Sequence, residues 1–250
     1  MKHLILLSFV FVVTLLSCGS DGNNSVVDEP DTPDPAQPAN KFPTELVGTW
    51  QFYSGDPIAI LSSVEESDIL NQTFIFVANG NMNESIVYPD ANKFGKTTSA
   101  NGNWMVENKQ LRLTDWQGNA LNGSFSYKIN ADSSLILING DKSAVYYKQE
   151  EIKKKYPDLI VGSWNNMRDG SSKTRMSFYD TGKGYSQSVY INGVYYGGEP
   201  FSWSYSDNII SADYDNISKP TGHHEYVLIY LNKKSVSWTF KNEERYYVRE

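Results

Sequence analysis

A chain of 250 residues, 40% hydrophobic and 20% charged, is long enough for one or two packed cores. Its formal net charge of −7 excludes the basic face that a nucleic-acid partner requires, and its single cysteine excludes an internal disulfide. The acidity is uneven. Residues 1–40 hold one lysine and five acids, residues 41–150 eight basic and twelve acidic groups, and residues 151–250 thirteen and twelve.

The chain opens with Lys2 and His3, followed by an apolar run from Leu4 to Leu16 that only Ser8 and Thr14 interrupt. That run is too short to span a bilayer and has the form of the apolar region of an export signal, residues 1–17. It ends in Leu15-Leu16-Ser17-Cys18. The sequence resembles the lipobox of bacterial lipoproteins, in which cleavage precedes the cysteine and its sulfur and new amine are acylated. The resemblance implies a palmitate-type anchor on Cys18, a membrane as partner and attachment to the outer membrane, facing either the cell surface or the periplasm. One acyl chain anchors marginally and two or more hold stably. Residues 18–41 alternate Asp28, Glu29, Asp31 and Asp34 with Pro30, Pro33, Pro35 and Pro38. Mutual repulsion and fixed proline φ angles predict a disordered, extended linker reaching at most about 70 Å.

From residue 42 the pattern changes to short alternating runs separated by Gly- and Asn-containing turns. Residues 73–88 parallel 174–190, residues 102–114 parallel 200–214, residues 124–138 parallel 225–240, and residues 144–149 parallel 245–250. Trp104 and Trp203 are 99 positions apart, Tyr127 and Tyr226 also 99, and Tyr147 and Tyr247 are 100 apart. Period-two alternation, as in Phe125, Tyr127 and Ile129 against Ser124, Ser126 and Lys128, marks sheets with one wet face. Helical pattern is confined to 62–72, with Ser63 as cap, and to 149–158, where Pro157 is expected to stop a short connecting helix. The expected fold class is all-β: two tandem, small, antiparallel eight-stranded barrels, at 42–150 and 151–250, closed so as to remove sheet edges.

Gly48-Thr49-Trp50 and Gly162-Ser163-Trp164 resemble the G-x-W motif that opens lipocalin barrels. The compact size of each copy is similar to the lipocalin-like domains of Bacteroidota-type lipoproteins. The resemblance implies that Gly48 and Gly162 pass the first strand beneath each barrel and that Trp50 and Trp164 plug its closed end. It also implies a basic residue of the last strand over the Trp ring. Arg249 takes that place in the second copy, and Gln149, with Lys148 beside it, is the aligned position in the first. An eight-stranded barrel is either filled by side chains or holds one small ligand. Phe74, Phe76, Trp104, Phe125, Tyr127 and Leu137 are expected to fill the first.

No catalytic residue, metal set or cofactor motif emerges. The chain has no G-x-S-x-G, no H-E-x-x-H and no phosphate-cradling loop. His223 and His224 are adjacent, point to opposite faces of a strand and cannot share a metal; they are expected in a loop. Asp213 and Asp215 read as strand-end solvation. Tyrosine and tryptophan instead suggest a binding surface. Tyr195, Tyr196, Trp203 and Tyr205 crowd a region that follows the Asn192-Gly193 hairpin signal, and Trp116 stands in a turn. The functional expectation is a non-enzymatic, lipid-anchored protein that binds a small hydrophobic molecule or a glycan at the mouth of the second barrel. The alternative is a structural or adhesion lipoprotein with filled barrels that engages a protein or glycan partner through its outer surface.

Overall fold

The computed structural model describes residues 41–58, 65–90, 93–115, 117–166, 172–190, 195–215 and 222–250. The export signal, Cys18, the acidic linker, Trp116 and Asn192-Gly193 lie outside the described residues. Residues 40–250 form one compact unit.

The first barrel consists of β1 (Gly48–Gly55), β2 (Asn71–Phe76), β3 (Asn81–Asp90), β4 (Lys93–Glu107), β5 (Gln110–Asp115), β6 (Ala120–Ile129), β7 (Ser134–Asn139) and β8 (Lys142–Lys148). Each strand pairs with the next, and β8 closes on β1. The second consists of β9 (Gly162–Asn166), β10 (Ser172–Phe178), β11 (Lys183–Tyr190), β12 (Tyr195–Ser206), β13 (Ile209–Tyr214), β14 (Gly222–Leu231), β15 (Ser235–Phe240) and β16 (Glu243–Arg249), with β16 closing on β9. The all-β, two-barrel expectation is therefore met. Closure leaves neither barrel a free sheet edge.

Two helices, α1 (Gln149–Lys153) and α2 (Tyr156–Ile160), join the barrels. Pro157 does not end the connection. It stands in the first turn of α2, where a missing N–H costs nothing because that donor has no helical acceptor. Of the helical pattern at 62–72, a single 3₁₀ turn, Glu66–Asp68, is described, without a side-chain cap.

The internal repeat is real but its register differs from the spacing read in the sequence. Trp104 pairs with Leu113 and Trp203 with Ala212, so the offset of 99 holds there. Beyond β5 it does not. Leu111 faces Phe125 and Ile210 faces Tyr226, which makes Phe125, not Tyr127, the counterpart of Tyr226. The connection between β13 and β14 is longer than that between β5 and β6, and the offset becomes 101. At the last strand Trp50 pairs with Lys148 and Trp164 with Arg249, so Tyr247 corresponds to Tyr146. Tyr147 points out of its barrel, because a slip of one residue exchanges the two faces of a strand.

The barrels are in direct contact. Leu70 and Val87 of the first pack with Tyr230 and Tyr246 of the second. Polar groups fix the register of this contact: Asn232 Nδ2 donates to the Leu70 carbonyl at 2.9 Å, Ser235 Oγ to the same oxygen at 2.6 Å, and Lys234 Nζ to the Ile69 carbonyl at 2.9 Å. Gly95 lies against the Tyr246 ring, which an added Cβ would approach to 2.5 Å.

Candidate ligand-binding site

The two barrel bases are built alike. Gly48 and Gly162 have φ of +135° and +139°, a region that side chains other than glycine rarely enter. The indole that follows two residues later turns inward and is buried. Trp50 Nε1 donates to the Leu46 carbonyl at 2.7 Å, and Trp164 Nε1 to the Ile160 carbonyl at 2.8 Å. In each case the acceptor lies four residues earlier, in the turn before β1 or at the end of α2 before β9, so the motif ties the lead-in segment to the floor of the barrel. Arg249 Cζ stands 4.5 Å from the centre of the Trp164 ring, and its Nη2 donates to the Leu159 carbonyl. In the first barrel Lys148, not Gln149, covers Trp50, with Nζ at 5.3 Å. Gln149 has left the strand and begins α1.

A second indole closes each base. Trp104 Nε1 donates to the Val77 carbonyl at 2.9 Å, and Trp203 Nε1 bridges the carbonyls of Tyr179 and Lys183 at 3.0 and 2.9 Å. Trp104 is buried beneath Phe42, whereas Trp203 is half-buried against Phe178.

Residues 46–137 match the family model of the lipocalin-like domain. The match runs from the lead-in turn of β1 into β7. No curated protein and no solved structure matches the chain. The second barrel repeats the lipocalin-like strand plan and base geometry of the first.

The interiors of the two lipocalin-like barrels diverge above the base. Phe52, Phe74, Phe76, Trp104, Phe125, Leu135 and Leu137 are buried in the first, as expected for a filled barrel, and Tyr127 packs partly buried against them. Nearer the far end Ile58 drops into the same core. Its carbonyl accepts from Gln72 Nε2 at 2.7 Å, and the same amide reaches Glu84 Oε1 at 2.5 Å. The Tyr146 hydroxyl donates to Gln72 Oε1 at 2.5 Å. All four residues are at most 1% exposed. Burial, with the charge of Glu84 second, pushes the Tyr146 hydroxyl well above its ordinary pKa of 10, so it stays a donor.

At the corresponding level of the second barrel the inward-facing residues are Tyr214, His224, Tyr226, Phe240 and Arg245, from the strand ends remote from Trp164. The Tyr214 and Tyr226 hydroxyls are 3.0 Å apart, and Ser186 hydrogen-bonds Tyr214. The His224 ring lies 4.8 Å from both Tyr214 and Phe240, centre to centre. Arg245 Cζ stands 5.0 Å above Phe240, and Lys241 Nζ 5.2 Å. Phe240, His224 and Arg245 are only half-buried, so this layer faces a mouth. Burial first, then the charge of Lys241, holds the His224 pKa below its ordinary 6.5, so the ring is neutral at neutral pH. Burial raises both tyrosine pKa values, which keeps their protons in place. The layer thus presents aromatic faces, hydroxyls that keep their protons, and two cations, of which Arg245 has Glu243 at 3.4 Å.

Of the residues singled out from the sequence, Trp203 and Tyr205 are not at this mouth. Both belong to the base, where Tyr205 packs edge-on against Tyr156. Tyr195 and Tyr196 begin β12 at the other end, paired with Val189 and Ser188. Seven residue steps along β12 lead from Tyr196 to Trp203, at most about 23 Å at 3.3 Å per residue. Crowding in sequence therefore did not become a cluster in space. The histidines lie inside β14 rather than in a loop. His223 is on the outer face, with Nδ1 2.7 Å from Asp213 Oδ1, and His224 is on the inner. Neither His224 nor Arg245 stood out in the sequence. Counting back two residues from Tyr226 along the strand would have found the first.

Proposed function

We propose that this chain is a lipid-anchored, non-enzymatic binding protein of the outer membrane. Its second barrel holds a small ligand at the mouth, and its first barrel is a structural domain. One observation carries the reading: the first interior is filled up to Ile58, while the second presents half-buried Phe240, His224 and Arg245 around the Tyr214–Tyr226 pair at the same level. Such a layer suits a flat apolar molecule or sugar ring carrying an acidic or hydrogen-bonding group. The filled first barrel, joined to the second by buried polar contacts, fits the structural part of the alternative role and leaves the ligand to the second.

Binding is tested with the fluorescent apolar anion 8-anilinonaphthalene-1-sulfonate and by native mass spectrometry of protein purified from its own host. The probe is expected to brighten on the full chain and to bind at least tenfold more weakly after Phe240→Ala with Arg245→Ala. Absence of brightening together with absence of a co-purified mass would overturn the reading. The anchor is tested separately: Cys18→Ala abolishes labelling by radioactive fatty acid, and continued labelling refutes acylation at that residue.

A further inference from the structure

A second concave site lies where the barrels meet, away from either interior. It is a cleft of about 400 Å³ lined by Tyr53 of β1, Lys155, Asp158 and Leu159 of the connecting segment, Lys233 of the β14–β15 turn and Arg249 of β16. Three cations and one carboxylate thus share one cavity in a chain of net charge −7. Among the described residues no carboxylate comes within 4 Å of any of the three cations. Each rests over an aromatic ring instead: Lys155 Nζ is 4.5 Å from the centre of Tyr147, Lys233 Nζ 5.1 Å from Tyr53, and Arg249 Cζ 4.5 Å from Trp164. Like charges converging on a cavity repel one another and gain little from solvent they partly exclude. A bound anion relieves both costs.

The cations are held rather than scattered. The Lys233 amide donates to the Tyr53 carbonyl at 3.0 Å, which pins the turn of one barrel to the first strand of the other. Asn232 and Ser235 on either side are tied to Leu70. The Lys155 carbonyl accepts from Leu159 at 3.0 Å, and Arg249 is fixed through the Leu159 carbonyl while its buried Nε has no protein acceptor. The site exists only because both barrels and their connection are assembled.

We propose that this inter-barrel cleft binds a phosphoryl group of a small phosphorylated molecule or of a lipid headgroup. A phosphate monoester carries −1.5 to −2 at neutral pH and offers three acceptor oxygens, a closer match to three converging cations than a single carboxylate. Lys155 and Lys233 act as point charges, and Arg249 supplies the fixed donor fork. The volume is of the size that accommodates a sugar phosphate, with the Tyr53 ring as a face for its carbon skeleton. The mouth of the second barrel plays no part in this site.

The test uses the full chain carrying Cys18→Ala, so that no acyl anchor contributes. Calorimetric titration with glucose 6-phosphate is expected to show binding that Lys155→Gln with Lys233→Gln weakens at least tenfold, and that Lys155→Arg with Lys233→Arg retains. Co-sedimentation with phosphatidylcholine vesicles containing phosphatidic acid, whose headgroup is a phosphate monoester, but not with vesicles of phosphatidylcholine alone or with phosphatidylglycerol, lost in the same Gln variant, would assign the phosphoryl group to a headgroup. Circular dichroism checks that the Gln variant remains folded. No binding of glucose 6-phosphate or of vesicles, or binding indifferent to the Gln substitutions in a folded chain, would overturn the proposal. Succinate binding as tightly as glucose 6-phosphate would overturn the phosphoryl assignment.

Discussion

The two barrels share a strand plan, a glycine-indole floor and a cation over that floor, yet they differ at the opposite end. In the first, the chain between β1 and β2 runs from residue 56 to 70, and its Ile58 enters the core above Gln72, Glu84 and Tyr146. In the second, the corresponding connection spans only 167–171. The inward layer there is polar and aromatic and partly open. The first connection thus carries Ile58 into the core, while the described strand ends of the second barrel leave Phe240, His224 and Arg245 half-buried. The floor is a matter of stability common to both copies, and the upper layer is where the copies were free to part.

The largest expected effect tests what they share. Trp164→Ala and Trp50→Ala should each destabilise the chain by about 3–5 kcal/mol, as truncation of buried tryptophan does, with a clear fall in melting temperature. A tryptophan whose loss leaves the melt unchanged is no floor. Next comes the polar knot peculiar to the first barrel. Gln72→Leu leaves the Tyr146 hydroxyl and the Ile58 carbonyl without their buried partner, and should cost about 1–3 kcal/mol in denaturant unfolding. The same change should leave probe binding at the second mouth intact, which sharpens the division of labour.

A smaller difference is expected between the cations over the two indoles. Lys148→Ala removes a contact of about 0.5–2 kcal/mol. Arg249→Ala should cost more, since it also removes a donor from the Leu159 carbonyl. Equal losses in the melt would contradict the tighter geometry of the second base. The smallest effect depends on pH. The Tyr147 hydroxyl and then Ser134 hold Asp132 at a pKa of about 2, below its ordinary 3.8. A carboxylate depressed on folding stabilises above its unfolded pKa, and that contribution fades as pH falls from about 4 to about 2. Asp132→Asn should lower thermal stability at pH 7 by the loss of that contribution, and the gap to the parent chain should close as pH falls from about 4 to about 2.

Alternation along strands such as Phe125–Ile129, and the glycine-indole pairs at Trp50 and Trp164, were enough to give an all-β chain with two closed repeats. Both signals are local: one follows from the two faces of a strand, the other from a backbone angle that glycine tolerates. Register was not legible. Tyr147 and Tyr247 look equivalent in sequence, but a longer connection before β14 shifts the later strands, and Tyr147 faces the neighbouring barrel while Tyr247 faces its own core. Trp203 and Tyr205, close in sequence to Tyr195 and Tyr196, are at the opposite end of their strand because β12 runs for 12 residues.

The sequence by itself determined strand periodicity, the two floors and the absence of disulfides, because each depends on residue type and short spacing alone. Tertiary structure decided which barrel is filled, which side chains meet at the second mouth, and the gathering of Lys155, Lys233 and Arg249 from separate segments into one cleft. Those outcomes depend on how far each strand slides past its neighbour and how two closed surfaces pack. Many residues distant in the chain set both quantities together.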